Sequence, residues 1–392
     1  MLAPVREHLS PKNPMSIPLL CSTKNYYLTQ LAVDVVPGKP GFEEARWIES
    51  EDVNVEHLLD IFTTIDGTSR NVWDACADFM KHLIWHKPRL VTLGPKLKAL
   101  PDNHPSKLEC LYQLSRSFQT IGGATERKQL LTLVSELSRE RGDDRHLSRA
   151  LSHLSQLQSN MGLYKEGIRL AKEASEVSER LGDTVGQARA LINLGWSLYC
   201  DNRLDEAEEA VSHAIDLLSD QDERFLVCRC HHILGNVYRS KNDTKESVRH
   251  FETALGIASP FNGVNILFWI HFDLARLFID QARFEDANAH IQHSKLHAVK
   301  NHDSYIMGHA MELQARVWYG QCRFEEAKSE GLRAVDAFEK LGATKHVKRA
   351  RQFLLQIDRD AWVKGVLALS DNGEPVKNTS CRPFSFRWDH RV

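Results

Sequence analysis

Apolar positions along this chain recur at helical spacing. Stretches such as 186–199 and 204–218 set apolar residues three to four apart with polar residues between, and each predicts a helix buried along one face. The most apolar stretch, 263–279, is interrupted by His271, Asp273 and Arg276, so it predicts a buried helix rather than a membrane span. Small residues reveal a longer period. Ser115, Ser155, Gly195, Gly235, Ala275 and Ala315 stand 40 residues apart without slippage. Twelve residues after the last four come Ala207, Ser247, Ala287 and Ala327, and nineteen after them Ala214, Ala254, Ser294 and Ala334. Large apolar residues keep the same register, as Leu198, Tyr238, Phe278 and Trp318 do, and then Val211, Phe251 and Ile291 before Gly331 breaks that column.

Each 40-residue unit holds two such apolar stretches, so the period predicts helical hairpins stacked in sequence. Between the two stretches lie turns such as Asn202-Arg203-Leu204-Asp205-Glu206, Ala282-Arg283-Phe284-Glu285-Asp286 and Cys322-Arg323-Phe324-Glu325-Glu326. Their acids fall in the first turn of the second helix, where the helix dipole favours negative charge. Stops between units fall at Gly142-Asp143, Gly182-Asp183, Ser259-Pro260, Asn301-His302 and Gly342. The small columns predict close helix crossings, and a glycine there, at roughly 1 kcal/mol relative to alanine, is tolerated for closeness. The units at 108–142 and 146–182 keep the register less well, with Arg127 and Gly167 in the second small column.

These three columns resemble positions 8, 20 and 27 of the tetratricopeptide repeat, in a 40-residue form rather than the usual 34. The resemblance covers about 110–364. It implies an all-α, right-handed superhelical solenoid of six hairpins, with 344–363 as a last unpaired helix whose polar residues suit a cap. The expected organisation is a partly ordered linker over 1–52, irregular entry helices over 53–107, the solenoid over 108–364 and a disordered tail over 365–392.

The flanking runs MLAPVREHLSPKNPMSIPLLCSTKNYYLTQL, GFEEARWIESEDVNVEHLL, WDACADFM and LGPKLKALPDNHPSKLECLYQLS are similar to mushroom-type fungal proteins that join an NB-ARC or NACHT signal-transduction ATPase to tetratricopeptide repeats. The ATPase module is missing, for no G-x-x-x-x-G-K-[ST] string occurs, and the sequence therefore predicts no nucleotide binding. What the resemblance implies is a stand-alone receptor-like fragment or a chain whose ATPase segment was lost upstream.

Within that family the first helix of each hairpin lines a concave binding face through positions 2, 5, 9, 12 and 13. Position 2 reads Glu109, Arg149, Arg189, Arg229, Trp269, His309 and Arg349 in successive repeats. Position 9 reads Arg116, Gln156, Trp196, Asn236, Arg276 and Arg316, with Tyr319 close by. An arginine-rich stripe of this kind suits an acidic or phosphorylated peptide, because guanidinium pairs bidentately with carboxylate or phosphate. The competing reading is that these arginines pair with acids of the neighbouring hairpin or are solvated. Position 5 holds Ser152, Ile192, His232, Phe272 and Glu312 where a chaperone-type carboxylate clamp requires Lys, which argues against a chaperone-tail receptor.

Charge and composition narrow the classes further. Fifty basic against 52 acidic residues, a net of -2, exclude a long-range basic field for nucleic acid and turn attention to local stripes. At roughly 150 residues per domain, 392 residues suggest two or three domains, but the period replaces that count with one array. The N-terminus shows no basic region leading into an apolar core, and the eight scattered cysteines fit a reducing, cytoplasmic compartment without a disulfide framework. His82 with His86, and His290 with His293 and His297, share helical faces, but no acid or thiolate completes a metal set beside them. No catalytic motif or cofactor signature is present. The reading is a non-catalytic scaffold or sensor in intracellular signalling, with no cofactor, no metal and a protein or peptide partner. A helical-repeat RNA binder using the arginine column, or an enzyme with an unrecognised site, are the alternatives.

Overall fold

Periodicity at 3.6 residues is realised throughout. The computed structural model describes residues 48–65, 69–86, 93–121, 123–258, 265–300, 304–341 and 343–370. Among them are sixteen helices and no strand. Three entry helices, α1 (Ile48–Ile65), α2 (Arg70–His86) and the short α3 (Gly94–Ala99), precede six hairpins. The first helices of the hairpins are α4 (Lys107–Ile121), α6 (Asp144–Asn160), α8 (Thr184–Cys200), α10 (Arg224–Ser240), α12 (Asn265–Asp280) and α14 (Ser304–Gly320). Their second helices are α5 (Ala124–Arg141), α7 (Tyr164–Arg180), α9 (Leu204–Leu217), α11 (Thr244–Ala258), α13 (Phe284–Lys300) and α15 (Phe324–Lys340), and α16 (Thr344–Ser370) follows.

The chain forms two compact units: Met1–Asp201 with Glu209–Leu226, and Asn202–Glu208 with Val227–Val392. In the first unit one apolar cluster runs from Leu58, Phe62 and Phe79 through Leu111 and Leu131 to Leu151 and Val177. The entry helices therefore share a core with the first hairpins instead of standing apart from them. In the second unit Ala315, Ala327, Phe353, Leu354 and Ile357 form the cluster by which α16 covers the last hairpin. The capping helix runs on to Ser370, past the expected end at 364, while the remainder of the expected tail and the linker over 1–47 lie outside the described residues.

Small columns are where the helices of a hairpin touch. Ala275, Ala287, Ala315 and Ala327 are fully buried. Ser247 Oγ, in the second column, donates to the Gly235 carbonyl in the first at 2.8 Å. A Cβ on Gly235 would stand 2.6 Å from the Phe251 ring, so only glycine fits that crossing. Turns within hairpins repeat one backbone solution. Gly162 takes φ 84°, and Asn202, Asn242, Ala282 and Cys322, each 40 residues on, take φ 63°, 60°, 56° and 60°. This left-handed residue lets the next amide reach back to the first helix, as Asp243 N does to Tyr238 O at 2.9 Å and Arg283 N to Phe278 O at 2.9 Å. The acid expected in the following turn is clamped by the arginine at the helix start: Arg203 to Glu206, Arg283 to Asp286 and Arg323 to Glu326.

Two chemical expectations are refined. Cys76, Cys110, Cys200, Cys228 and Cys230 are free thiols, but Cys322 is disulfide-bonded. Spacing could not reveal that pairing, because a disulfide depends on distance in space and not along the chain. His82 is a fully buried packing residue. Among the described residues no group of three or more metal-ligating side chains could hold an ion, and no helix is long and apolar enough to cross a membrane.

Candidate functional site

The side chains named from the repeat register fall into two settings, one in each unit. In the first unit Arg116, Arg149 and Arg189 come from the first helices α4, α6 and α8, which the 40-residue period sets at equivalent positions. Arg149 forks onto Glu109, with Nη1 2.7 Å from Oε2 and Nη2 3.3 Å from Oε1. His146 Nε2 at 3.0 Å and Gln113 Nε2 at 2.6 Å complete the shell of Glu109. Burial pushes the Glu109 carboxyl upward, but His146 and Arg149 outweigh it and hold the group far below the usual carboxylate range.

The Arg149 guanidinium also lies 4.0 Å over the Tyr112 ring, and His153 meets that ring edge-on at 5.4 Å. Arg127, 4% exposed, sets Nη2 3.2 Å from His153 Nδ1. Burial depresses the imidazole, and Arg127, Arg116, Arg189 and Arg149 depress it further, so His153 is neutral and accepts from Arg127. Burial raises the Tyr112 hydroxyl, yet Arg149, Arg116 and Arg189 reverse the sign and leave it below its ordinary value. Burial lowers Arg127 to about 10 and lowers Arg116 as well, with Arg149 and Arg189 adding to the latter. Arg149 over Tyr112 and Arg127 on His153 thus set positive charge against this pair, and Arg149 also holds Glu109. Trp196, on α8, donates through Nε1 to Asn160 Oδ1 at 3.1 Å.

In the second unit the register positions are absorbed by a polar ladder. Asn236 Nδ2 donates to Asp273 Oδ2 at 2.9 Å, His232 Nε2 stands 2.7 Å from the same oxygen, and Arg276 Nη1 reaches Oδ1 at 2.9 Å. Arg239 pairs with Asp280 at 3.1 Å. Glu312 receives Arg316 Nη2 at 2.9 Å and, from α16, Arg349 Nη2 at 2.5 Å. Burial pushes Glu312 up, but Arg349 and Arg316 dominate and hold it at about 2. His309 is enclosed by Trp269, Phe272, Tyr305, Phe338 and His346, and burial keeps it well below the ordinary imidazole value. Tyr319 Oη donates to Asp360 and is pushed up to about 12 by burial and that carboxylate.

The exposed stripe expected from the register is therefore not uniform. Asn236, Arg276, His309 and Arg316 are buried, at 2%, 7%, 2% and 6% exposure. Arg149, Arg189, Arg229, Trp196, Trp269 and Tyr319 are half-buried. The partners that decide this (Tyr112, Arg127, His153, Asp273) were missed because repeat columns mark helix crossings, not charges between helices. One signal was available: an arginine in the second small column, Arg127, where the register demands a small side chain.

Family models for the tetratricopeptide repeat match residues 146–220 and 229–260. Among curated proteins none matches the sequence. Of solved structures, a Rap protein complexed with competence and sporulation factor is similar over 87% of this chain and 98% of its own, at 10% identity and TM-score 0.56. The Rap conjugation gene regulator of plasmid pLS20, in complex with a Phr peptide, is similar over 87% of this chain and 95% of its own, at 12% identity and TM-score 0.50. A signal transduction ATPase with numerous domains from Pyrococcus horikoshii, which has a tetratricopeptide repeat sensor, is similar over 93% of this chain at 13% identity and TM-score 0.55. This chain spans 56% of it. At these identities the likeness is one of fold. The chain carries tetratricopeptide repeats, and its helical hairpins have their architecture.

Proposed function

We propose that this chain is a non-catalytic binding scaffold that receives a peptide or protein segment on the face lined by the first helices of its hairpins. The observation that carries the reading is the half-buried Arg149 guanidinium of α6, forked onto Glu109 and laid 4.0 Å over the Tyr112 ring of α4. A preformed face of this kind binds without folding on contact, so little ordering entropy opposes association. Similarity of fold to a Rap regulator in complex with a Phr peptide, and to a Rap protein complexed with competence and sporulation factor, supports a peptide occupant. The occupant we favour is acidic or phosphorylated, and the setting intracellular signalling, with the chain as sensor part of a signalling ATPase.

Screening the full-length chain against an array of random acidic, phosphorylated and neutral peptides tests the reading. Binding should favour the first two classes and weaken as salt is raised. Equal binding of neutral peptides, or none of any class, would overturn it. The ion-paired arginines of the second unit weigh against an RNA-tracking column, because Arg239, Arg276 and Arg316 already hold Asp280, Asp273 and Glu312.

A further inference from the structure

Six hairpins keep a small residue in the first column, from Ser115 to Ala315, and the next member of that column is Leu355 on α16. In α14 the column residue Ala315 is fully buried, because Ala327 of α15 crosses there. Glu312, one turn earlier, is buried as well. On α16 the two equivalent positions, Gln352 and Leu355, are exposed, Leu355 at 70%. A leucine in the column would hold a second helix too far out for the close crossing that the other hairpins make. The outer face of α16 is therefore not shaped for the second helix of a seventh hairpin, and whatever covers it packs at a wider spacing.

That face is apolar at two points. Trp362, two turns on from Leu355, is 68% exposed, and Val363 beside it is exposed too. The opposite side of α16 is the one that packs inward, through Ala350, Phe353, Leu354 and Ile357. Large apolar side chains scattered singly over a surface need no explanation, but Leu355 and Trp362 share one stripe of one helix, seven residues apart. Between them on the same stripe stand Asp358 and Arg359. Asp358 receives Lys328 at 2.7 Å and Arg359 lies 3.3 Å from Asp360, ion pairs open to solvent that contribute little and leave both groups able to take a second partner.

We infer that the outer face of α16 is a homodimer interface, in which two copies of this chain lay their last helices antiparallel across a two-fold axis between Asp358 and Arg359. The order Leu355, Asp358, Arg359, Trp362 decides the occupant, because reversing it about that axis makes it complement itself. Leu355 of one copy faces Trp362 of the other, Asp358 faces Arg359, and the same two contacts recur on the far side of the axis. A parallel pairing would set acid against acid and base against base, so the charges fix the direction as well. The interface uses a different helix and a different face from the peptide-binding reading above and does not rest on it.

Sedimentation equilibrium of the full-length chain over a range of concentrations tests it. The chain should reach twice the mass of a single copy and dissociate on dilution. Leu355→Ser and Trp362→Ser should each weaken association by about tenfold or more. Far-UV helicity should stay unchanged in both, since these side chains already face water. Asp358→Arg sets arginine against arginine across the axis and Arg359→Asp sets acid against acid, so each alone should weaken association. Mixing the two variants, or combining both substitutions in one chain, should restore it. Lys340→Ala, on α15, should associate as the parent does. A chain that stays monomeric at every concentration overturns the interface, whether its own residues 371–392 or a foreign helix covers the face. Association unchanged in the serine variants overturns it too, by placing the contact elsewhere. Single charge variants that associate like the parent, or a double variant that stays weak, overturn the antiparallel pairing.

Discussion

His231 and His250 meet nitrogen to nitrogen, Nδ1 to Nδ1 at 2.9 Å, and one repeat later His271 and His290 do the same at 2.9 Å. Each pair bridges the two helices of one hairpin, α10 to α11 and α12 to α13. The contact is a hydrogen bond only when one ring donates and the other accepts, so the accepting ring cannot take its second proton without losing it, and the two rings cannot both be charged. Burial lowers His231 and His290 and takes His250 to about 4, with Arg249 beside His250 and His293 beside His290 adding repulsion.

A pH dependence of stability follows. Above the ordinary imidazole value of about 6.5, folded and unfolded chains are both neutral here and the pairs contribute fully. As pH falls from there toward about 4, the unfolded chain takes up protons that the fold refuses, so stability is lost. The melting temperature should decline across that window, and less steeply in a His250→Gln, His290→Gln double variant. Identical slopes would remove the pairs from the account.

Glu312 is the buried anchor of the last hairpin, 1% exposed and shared by Arg316 and Arg349. Replacing Arg349 with Ala leaves the carboxylate with one guanidinium. The cost should fall toward the lower end of the roughly 3–5 kcal/mol seen when one partner of a buried pair is removed. The exposed pair Lys340–Asp336 is the control, and Lys340→Ala should change stability by less than about 0.5 kcal/mol. Urea midpoints of the two variants decide between them, and equal midpoints would contradict the anchoring role.

Ala287 is fully buried at a helix crossing of the fifth hairpin. Ala287→Leu adds three carbons where backbones touch and should cost about 1–3 kcal/mol. An unchanged denaturation midpoint would show that this column does not mark a crossing.

Ala282 sits at φ 56° where Gly162 occupies the equivalent turn. A left-handed conformation costs a side chain roughly 1–2 kcal/mol, and glycine gives back about 0.5–1 kcal/mol through its freer unfolded chain. Ala282→Gly should therefore stabilise by about 0.5–1 kcal/mol, read as a higher melting temperature. A lower one would mean that the methyl group makes contacts worth more than the strain.

Fold and site differ in how far the residues announced them. Ala275 and Ala287 declare a helix crossing wherever they are read, because crossing distance depends on side-chain size alone. Hairpin count and turn positions followed from that register. Whether Arg276 faces solvent or Asp273 is not legible in the sequence, since both lie on one helix and the answer depends on how α12 turns toward α10. Arg149 raised the same difficulty, for its acid lies 40 residues away on another helix. Arg127 pointed the other way: by spoiling a small column it marked the place where charge had displaced packing.

The polar bonds that span one period give the array a fixed order. Asp273 answers His232 and Asn236 from 41 and 37 positions away, and Asp280 answers Arg239 from 41. Excise the forty residues 265–304, and Leu313 would take the place of Asp273 and Gly320 that of Asp280. The splice would preserve every helix and small column, yet strand a buried asparagine and an arginine without their acid. Hairpins built to one pattern are thus not exchangeable parts here. Recombination that drops or duplicates one would have to rewrite its neighbour as well, which ties the number of repeats to their individual sequences.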